Sequence, residues 1–431
     1  MNLIPRHLTR KVARTLQSSR VINLIGPRQT GKTTLVRDML QTARFLNLDD
    51  TGLLSALNLD PFGQLSALAA EATSANLPIV IDEVQRLPEI TLALKRIVDL
   101  DRRPGQFVLT GSSDIFAGPK ALDSLAGRVS TLTLRPLSTA EIKLRGPCGL
   151  LNAVGDDPAA LLGALPPPVA FSRSQAIELI VRGGFPEIRS LDGVNRMERY
   201  ENYIGSIVER DVAPVAEIRR PDILRRLINQ LAHRTAEELN VSSLCAALGA
   251  RQETIALYLD VLSRLGIVHR LGAWTSSGAR KEVKSPKLHF MDMGCASALR
   301  GEDLHSFNIG ADPTALGHLL ESYVFCELEK SLPFLDQRWT LYHWRNAPRE
   351  VDIVAEAPGR VLALFEMKAS MTVEWSDFRH VDWFLKEGPG QAYRGSAFVV
   401  YLGDQVLTFG PGRIALPLSI LWAYQEGQDA D

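Results

Sequence analysis

The chain has 431 residues, 23% of them charged, and a formal net charge of −1, which excludes a strongly basic nucleic-acid-binding protein but not a local basic face. Its length is enough for two or three domains, and a hydrophobic content of 45% is ordinary for a globular protein. No run approaches the ~20 apolar residues of a membrane helix. The first residues, MNLIPRHLTRKVARTL, carry charge without a long apolar core, so we expect no signal peptide and no membrane association.

The cysteine pattern bears on the cellular compartment. The four cysteines lie far apart and form no C-x-x-C pair: Cys148, Cys245, Cys295 and Cys326. This spacing argues against a disulfide framework or a zinc site and fits a reducing environment. We therefore predict a cytoplasmic protein.

A phosphate-binding loop is predicted in RVINLIGPRQTGKTTLVRDML, where an apolar strand, a turn and an amphipathic helix follow one another. Gly26, Gly31, Lys32 and Thr33 match G-x-x-x-x-G-K-[ST] without a gap. Backbone N–H groups of such a loop surround a triphosphate, and the helix dipole adds positive potential. We expect Lys32 to reach the β- and γ-phosphates and Thr33 to ligate Mg²⁺. The predicted nucleotide-binding loop is Gly26, Pro27, Arg28, Gln29, Thr30, Gly31, Lys32, Thr33 and Thr34.

A second apolar strand runs into an acidic pair in LPIVIDEVQRLP. A buried parallel strand that ends in an acid would bring Asp82 to the Mg²⁺ shell. Glu83, the next residue, would then polarise the attacking water. A strand often ends in a solvated acid, so this motif is informative mainly because it follows a phosphate-binding loop.

Strands continue to alternate with helices in ARFLNLDD, GQFVLTGSSD and RVSTLTLRPLS, which predicts a parallel sheet with flanking helices. Thr110, Ser112 and Ser113, where the second of these strands ends, could hydrogen-bond the γ-phosphate or the water, and a plain turn explains them almost as well. Arg128 precedes the last strand and is a candidate to contact the nucleotide of a neighbouring subunit. An exposed arginine is the alternative.

The stretches that carry a resemblance to a known family are, in chain order, GPRQTGKTTL, PIVIDEVQRLP, FVLTGSS, LAGRV, LRPLS, RGGFPE, YIGSIVERDV and EVDIV…FEMK. With them the chain resembles the prokaryotic AAA-type ATPases that carry a C-terminal domain of unknown function. The resemblance implies an ATPase core of the additional-strand catalytic-glutamate type that uses ATP and Mg²⁺. It also implies a homo-oligomer, which could be a ring, with Arg128 or Arg210 as the finger arginine. For Arg210, an ion pair within its helix is the alternative.

The domain boundaries follow from Pro and Gly density. We predict an ATPase domain at 1–144, a linker at 145–170, a helical region at 171–284 and a C-terminal domain at 285–431. Within the helical region, NVSSLCAALGARQETIALYLDVLSRLGIVHRLGAW has the pattern of a winged helix-turn-helix. In a DNA-binding protein of this type, Arg251, Gln252 and Thr254 would face the major groove. Glu253 and the scarcity of basic residues favour a module that packs on the ATPase domain instead. The pattern therefore leaves two roles open, DNA binding and packing within the protein.

The C-terminal stretch REVDIVAEAPGRVLALFEMKAS contains two apolar strands around a Pro-Gly turn. One helix followed by strands that end in acids resembles the PD-(D/E)XK nuclease core, a mixed α/β fold like that of restriction endonucleases. Residues two apart in a strand share a face, so Glu366 and Lys368 should point the same way. The carboxylates of Glu321, Asp352 and Glu366 could hold Mg²⁺, and Lys368 could orient the attacking water.

Two functions therefore stay open. The first is an ATPase coupled to a nucleic-acid-handling module that could be a nuclease, with Lys32, Glu83, Arg128 and Lys368 as catalytic residues. The second is a nucleotide-switched oligomer that binds DNA or protein through an inert nuclease-like domain. In the second case Glu366 and Lys368 form only a structural ion pair.

Overall fold

The computed structural model describes residues 3–111, 125, 127–155, 158–209, 220–276, 285–307 and 313–425, so Ser112, Ser113 and Arg210 lie outside the described residues. The chain divides into two compact units, Met1–Pro136 with Arg264–Gly266, and Leu137–Ser263 with Ile267–Asp431. The first unit ends earlier than the predicted boundary at 144. The predicted linker and C-terminal domain lie in the second unit, as does the predicted helical region except for Arg264–Gly266. Within the described ranges, each helix is too short or too polar to span a bilayer.

The first unit is built on a parallel sheet of five strands in the order β2-β3-β4-β1-β5. Its strands are β1 (Val21–Ile25), β2 (Arg44–Asn47), β3 (Ile79–Asp82), β4 (Phe107–Gly111) and β5 (Val129–Thr133). Its helices are α1 (Leu8–Leu16), α2 (Lys32–Asp38), α3 (Thr51–Leu59), α4 (Pro61–Ala75) and α5 (Ile90–Leu100). Strand β4 lies between β1 and β3, which is the additional strand that the sequence resemblance implied.

The core of the first unit lies between this sheet and the helices α3, α4 and α5. Strands β3 and β4 are buried along their whole length, as expected for parallel strands that read as continuous apolar runs. Leu57, Leu65 and Leu94 from the three helices belong to the same apolar cluster as the strand residues Ile81 and Leu109. This packing fixes the carboxyl edge of the sheet, where the predicted nucleotide site lies.

The second unit begins with short helices and continues into a three-helix segment with a small sheet. Its first helices are α6 (Thr139–Ile142), α7 (Pro158–Ala164), α8 (Arg173–Arg182), α9 (Gly193–Ile207), α10 (Pro221–His233), α11 (Val241–Leu248) and α12 (Gln252–Arg264). Strands β6 (Glu237–Glu238), β7 (Val268–Leu271) and β8 (Lys287–Phe290) form a sheet in the order β6-β8-β7, with antiparallel pairs. Helices α11 and α12 are followed by the antiparallel pair of β7 and β8, and the assignment as a winged helix stays a prediction.

The C-terminal part contains a mixed sheet of six strands in the order β13-β14-β12-β11-β10-β9. The strands are β9 (Thr340–Asn346), β10 (Arg349–Ala357), β11 (Val361–Lys368), β12 (Arg394–Tyr401), β13 (Leu407–Thr408) and β14 (Arg413–Pro417). Three helices accompany them: α13 (Met293–Leu299), α14 (Pro313–Ser331) and α15 (Arg379–Lys386). Strands β9, β10 and β11 are antiparallel, whereas β11, β12 and β14 run parallel. A mixed α/β domain was predicted here, and it is confirmed.

The segment predicted as a linker is partly packed. Leu150, Leu151, Val154 and Leu161 are all at most 3% exposed. Full burial of such a side chain stabilises a fold by about 1.5–3 kcal/mol, so these residues anchor the segment. Short turns between small helical elements account for its Pro and Gly density, and the linker bounds 145–170 stay a prediction.

Candidate active site

The phosphate-binding loop connects β1 to α2 at the carboxyl edge of the first sheet. Gly26 has φ +147°, and a Cβ at this position would come 2.1 Å from the carbonyl oxygen of Leu134. Gly31 has φ +95° and directly precedes α2. Only glycine fits these two positions without strain, which explains the spacing of the motif.

Lys32 is turned into this loop. Its Nζ donates to the carbonyl oxygens of Gly26 at 2.7 Å and Pro27 at 2.8 Å, and the side chain is buried. Thr30 Oγ1 also donates to Pro27 O at 2.9 Å. The ammonium therefore lies inside the loop whose N–H groups are expected to surround the phosphates.

Arg6 supports the loop and was missed by the sequence analysis. This buried side chain donates from Nη1 to Thr30 O and from Nη2 to Arg135 O, both at 2.6 Å. It ties the loop to the segment that follows β5. No motif marks Arg6, because its partners are 24 and 129 residues away along the chain.

Asp82 and Thr33 meet at the same edge of the sheet. Thr33 Oγ1 donates to Asp82 Oδ2 at 2.9 Å, and Asp82 is only 3% exposed. Thr110, at the end of β4, donates to the other carboxylate oxygen, and the N–H of Glu83 donates to the same atom at 3.1 Å. A hydroxyl beside a carboxylate is a hard-oxygen donor pair of the kind that Mg²⁺ prefers, so these residues fit the ion. Thr110 thus positions Asp82, which is a different role from the one expected.

Glu83 follows β3 directly and has a left-handed backbone with φ +56°. Its Oε2 accepts a hydrogen bond from Gln85 Nε2. Non-glycine residues rarely adopt this conformation, and they occur preferentially at functional sites. The geometry puts Glu83 next to Asp82, and its catalytic role stays a prediction.

Arg128 lies at the opposite edge of the sheet from the phosphate-binding loop. Its carbonyl oxygen accepts from the N–H of Val21, the first residue of β1, at 3.2 Å. Its guanidinium binds Asp99 through Nε at 2.5 Å and Nη2 at 3.1 Å, and this contact lowers the pKa of Asp99. The side chain is therefore half-buried and paired within its own chain, and its role as a finger arginine stays a prediction.

In the second unit, three predicted acids converge. Asp352 on β10 accepts from the N–H of Met367 at 3.0 Å, which brings it beside Glu366 on β11. Glu321 on α14 and Glu366 are 7% and 8% exposed. Burial and the Asp352 carboxylate raise the pKa of Glu366 well above its usual value, and Glu366 Oε1 is buried with no hydrogen-bond partner among the described residues.

A buried lysine occupies the centre of this acidic cluster. Lys287 Nζ lies 2.6 Å from Glu321 Oε1, 2.6 Å from Glu350 Oε1 and 3.8 Å from Asp352 Oδ1. Sequence analysis missed both Lys287 and Glu350. A lone lysine in the apolar run PKLHF was a signal for the first, and the two-residue spacing from Asp352 was a signal for the second.

Lys368 pairs with an acid outside this cluster. Its Nζ contacts Asp377 Oδ1 at 3.4 Å, and its side chain is 40% exposed. The ion pair between Glu366 and Lys368 that one alternative required is not formed at salt-bridge distance. Across the residues that the structure describes, no three or more His, Cys, Asp or Glu side chains are arranged to hold a metal ion. Although the carboxylates suit Mg²⁺ chemically, their arrangement around Lys287 does not fit the ion.

A cavity of about 870 Å³ opens onto this cluster. Glu321, Glu350 and Asp352 line it together with Glu237 and Glu238 from β6. Arg345 lines it as well and forms ion pairs with Glu238 at 3.1 Å and Glu350 at 3.7 Å. The acids still outnumber this arginine among the described lining residues, which disfavours a nucleic-acid backbone.

The predicted DNA-contacting residues lie at the start of α12. Arg251 and Gln252 are exposed and Thr254 is half-buried, whereas Ile255 and Leu259 are buried. The helix thus presents the expected face to solvent. DNA contact through it stays a prediction.

Comparison with known proteins supports the assignment of the first unit. Residues 18–143 match the family model described as an AAA domain. The chain therefore carries a P-loop ATPase domain. Residues 173–306 and 316–421 match models described as domains of unknown function, DUF8612 and DUF4143. Neither description mentions a nuclease, so the likeness to the PD-(D/E)XK fold is not confirmed.

Two curated relatives are uncharacterized mycobacterial proteins, Mb2031c from Mycobacterium bovis and Rv2008c from Mycobacterium tuberculosis. Each is 29% identical over 368 residues, which is 85% of this chain and 74% of the relative. Among solved structures, the Walker-type ATPase PABY2304 of Pyrococcus abyssi has 15% identity and a TM-score of 0.44, with 69% of this chain and 96% of that chain covered. A STAND protein with a tetratricopeptide repeat sensor, PH0952 from Pyrococcus horikoshii, has 14% identity and a TM-score of 0.26, with 77% and 46% covered.

Proposed function

We propose that this protein is a Mg²⁺-dependent ATPase whose second unit handles nucleic acid by binding it. The observation that carries the ATPase part is the hydrogen bond between Thr33 and Asp82, which joins the phosphate-binding loop to the end of β3. The AAA-domain match over the same residues supports it.

In this proposal, residues of the loop bind and orient the nucleotide. The N–H groups from Gly26 to Thr34 surround the phosphates, and Lys32 contacts the β- and γ-phosphates. Thr33 and Asp82 hold Mg²⁺, which when bound neutralises charge on the phosphates. Glu83 orients the attacking water and accepts its proton.

The second unit is proposed as a binding module. Lys287 supports this choice over cleavage, because its ammonium already satisfies Glu321 and Glu350 at 2.6 Å. A Mg²⁺-dependent nuclease with Glu321, Asp352, Glu366 and Lys368 is the second candidate. The buried Glu366 Oε1, with no hydrogen-bond partner in the described part of the chain, favours that candidate. A homo-oligomer, with Arg128 or Arg210 acting across subunits, remains a proposal from the sequence resemblance.

ATP hydrolysis by three proteins tests the first part: wild type, Lys32→Ala and Glu83→Gln. We expect Lys32→Ala to abolish nucleotide binding and hydrolysis. Glu83→Gln should retain ATP binding and lose hydrolysis by about 10²- to 10⁴-fold, the range for a general base. Lys95→Ala, a half-exposed lysine on α5, is the matched control and should behave as wild type. Undiminished hydrolysis by Lys32→Ala would refute the assignment of the site.

A further inference from the structure

A second cavity, of about 450 Å³, lies in the second unit. It is bounded by α8, by the residues at and after the end of α6, by the turn that contains Arg189, and by the aromatic side chains Phe171 and Trp422. Its volume is within the range of about 300–1,000 Å³ that is usual for small-molecule sites. No residue of the proposed ATPase site or of the Lys287 cluster lines it.

The lining of this cavity is cationic. Four basic side chains line it, namely Lys143, Arg145, Arg182 and Arg189, against a single acid, Glu178. Glu178 Oε1 accepts from Arg182 Nε at 2.7 Å and so balances one of these charges. Lys143 and Arg189 add further positive charge to this lining, which favours an anionic ligand.

Arg189 has donors to offer such a ligand. Its Nε donates to Gly183 O at 3.4 Å, whereas Nη1 and Nη2 have no acceptor among the described residues. Burial and the nearby Arg182 guanidinium lower the pKa of Arg189. An anion between the two guanidinium groups would relieve this repulsion and satisfy the planar donors, which suit phosphate oxygens.

The end of α8 and the following turn form the wall of the cavity that carries Arg182 and Arg189, and hydrogen bonds within the protein hold this wall in place without a ligand. The N–H of Gly184 donates to Asp292 Oδ2 at 2.7 Å, and Tyr200 OH donates to Asp292 Oδ1 at 3.0 Å. Gly183 has φ +67°, and a Cβ there would come 2.3 Å from Asp292 Oδ1. Arg182 Nη1 donates to Arg189 O at 3.0 Å and ties α8 to the turn. A preorganised wall reduces the cost of ordering the site on binding.

The aromatic residues give the cavity an apolar side. Phe171 and Trp422 pack edge to face with ring centroids 5.8 Å apart. Phe171 is half-buried, so part of its ring is available for contact. Guanidinium groups beside an aromatic side chain are the combination that binds a phosphate together with a base.

We propose that this cavity binds a nucleoside phosphate, with Arg182 and Arg189 on the phosphate and Phe171 against the base. The same chemistry is offered by a free nucleotide and by one nucleotide of a single strand. The proposal deepens the nucleic-acid handling proposed for the second unit and rests on it for the class of ligand. It does not depend on ATP hydrolysis.

The test uses the full chain with Lys32→Ala, so that the phosphate-binding loop does not compete for nucleotide. Fluorescence anisotropy of a labelled, 5′-phosphorylated short oligothymidylate measures the Kd. Arg189→Gln should raise the Kd about tenfold, as for loss of a charged hydrogen bond. Lys143→Gln, an exposed side chain at the cavity, should weaken binding in the same direction. Arg199→Gln, an exposed arginine on α9 outside the cavity, is the control and should leave the Kd unchanged.

Competition identifies the ligand and its source. Thymidine 5′-monophosphate should displace the probe, whereas thymidine and inorganic phosphate should displace it poorly. If the monophosphate binds as tightly as the oligonucleotide, the ligand of the cavity is a free nucleotide. If the monophosphate binds more weakly, the ligand is a nucleotide within a single strand. Equal Kd values for Arg189→Gln and Arg199→Gln, or no binding by the parent chain, would overturn the proposal. Arg189→Gln with Lys32 intact should still hydrolyse ATP, so failure here is distinct from failure of the ATPase assignment.

Discussion

The ammonium of Lys287 lies 2.6 Å from the carboxylate of Glu321, and the two side chains are only 1% and 9% exposed. Burial by itself would lower the pKa of Lys287, but Glu321, Asp352 and Glu350 more than offset it, and the pKa is raised. Lys287 therefore stays charged, and the acidic cluster has an internal cation at its centre. A buried charge that loses its partner is strongly destabilising, which makes this pair testable.

Lys287→Met should lower the free energy of unfolding by about 3–5 kcal/mol, because it leaves the buried carboxylates without their counter-charge. Mn²⁺ should restore part of this stability in the variant and should not stabilise the wild-type second unit. Thermal unfolding with and without Mn²⁺ measures both effects. Lys386→Met removes an exposed lysine that pairs with Asp382 and is the control, with little expected change. A wild-type protein that Mn²⁺ stabilises as much as the variant would contradict the role of Lys287.

The wild-type protein should not cleave single-stranded, duplex or branched DNA in Mg²⁺ or Mn²⁺, with or without ATP. The physical reason is that Lys287 competes with a divalent ion for Glu321 and Asp352. Gel assays beside Glu366→Ala and Lys368→Ala check this. Cutting by wild type that both substitutions remove would establish the nuclease candidate instead.

Thr110→Val should slow ATP hydrolysis by about tenfold, with a smaller effect on the KM for ATP. The substitution keeps the shape of the side chain but removes the donor to Asp82, whose loss costs about 1.5–3 kcal/mol at a charged acceptor. Steady-state kinetics separates kcat from KM. Thr73→Val, on the exposed face of α4, should match wild type. If both variants hydrolysed ATP equally fast, Thr110 would have no positioning role.

His289 should make the protein sensitive to mild acid. It is fully buried, its Nδ1 lies 2.9 Å from Ser322 Oγ, and its ring stacks on Phe325. Burial and the Lys287 charge lower the pKa of His289 well below its usual value. The unfolded chain therefore binds a proton that the folded chain does not. The part of the free energy of unfolding that depends on neutral His289 should be fully present above pH ~6.5 and should be lost as the pH drops below it.

Urea midpoints at pH 7.5 and 5.5 measure this effect. His289→Gln should lose less stability between the two pH values than wild type does. His305→Gln, an exposed histidine, should keep the wild-type dependence. Identical pH dependence in all three proteins would mean that another group is responsible.

Most residues of the proposed nucleotide site lie in two short stretches that the sequence marks by their motifs. Gly26, Gly31, Lys32 and Thr33 all fall within residues 26–33, so their spacing alone specifies a loop that leads into a helix. Asp82 was predictable because a parallel strand that ends in an acid reaches the same sheet edge. The mixed α/β character of the C-terminal part was predicted from one helix followed by a run of strands and the resemblance that this order implies.

Only the tertiary structure shows which residues distant in sequence pair with one another. Arg6 meets the phosphate-binding loop, Arg128 binds Asp99, and Lys287 enters a cluster whose acids come from a helix and a strand. The cationic cavity likewise brings Arg189 near Trp422. Periodicity and motif spacing report which face of an element a residue occupies. They do not report which distant charge will neutralise it, because that depends on how the elements pack and exclude water.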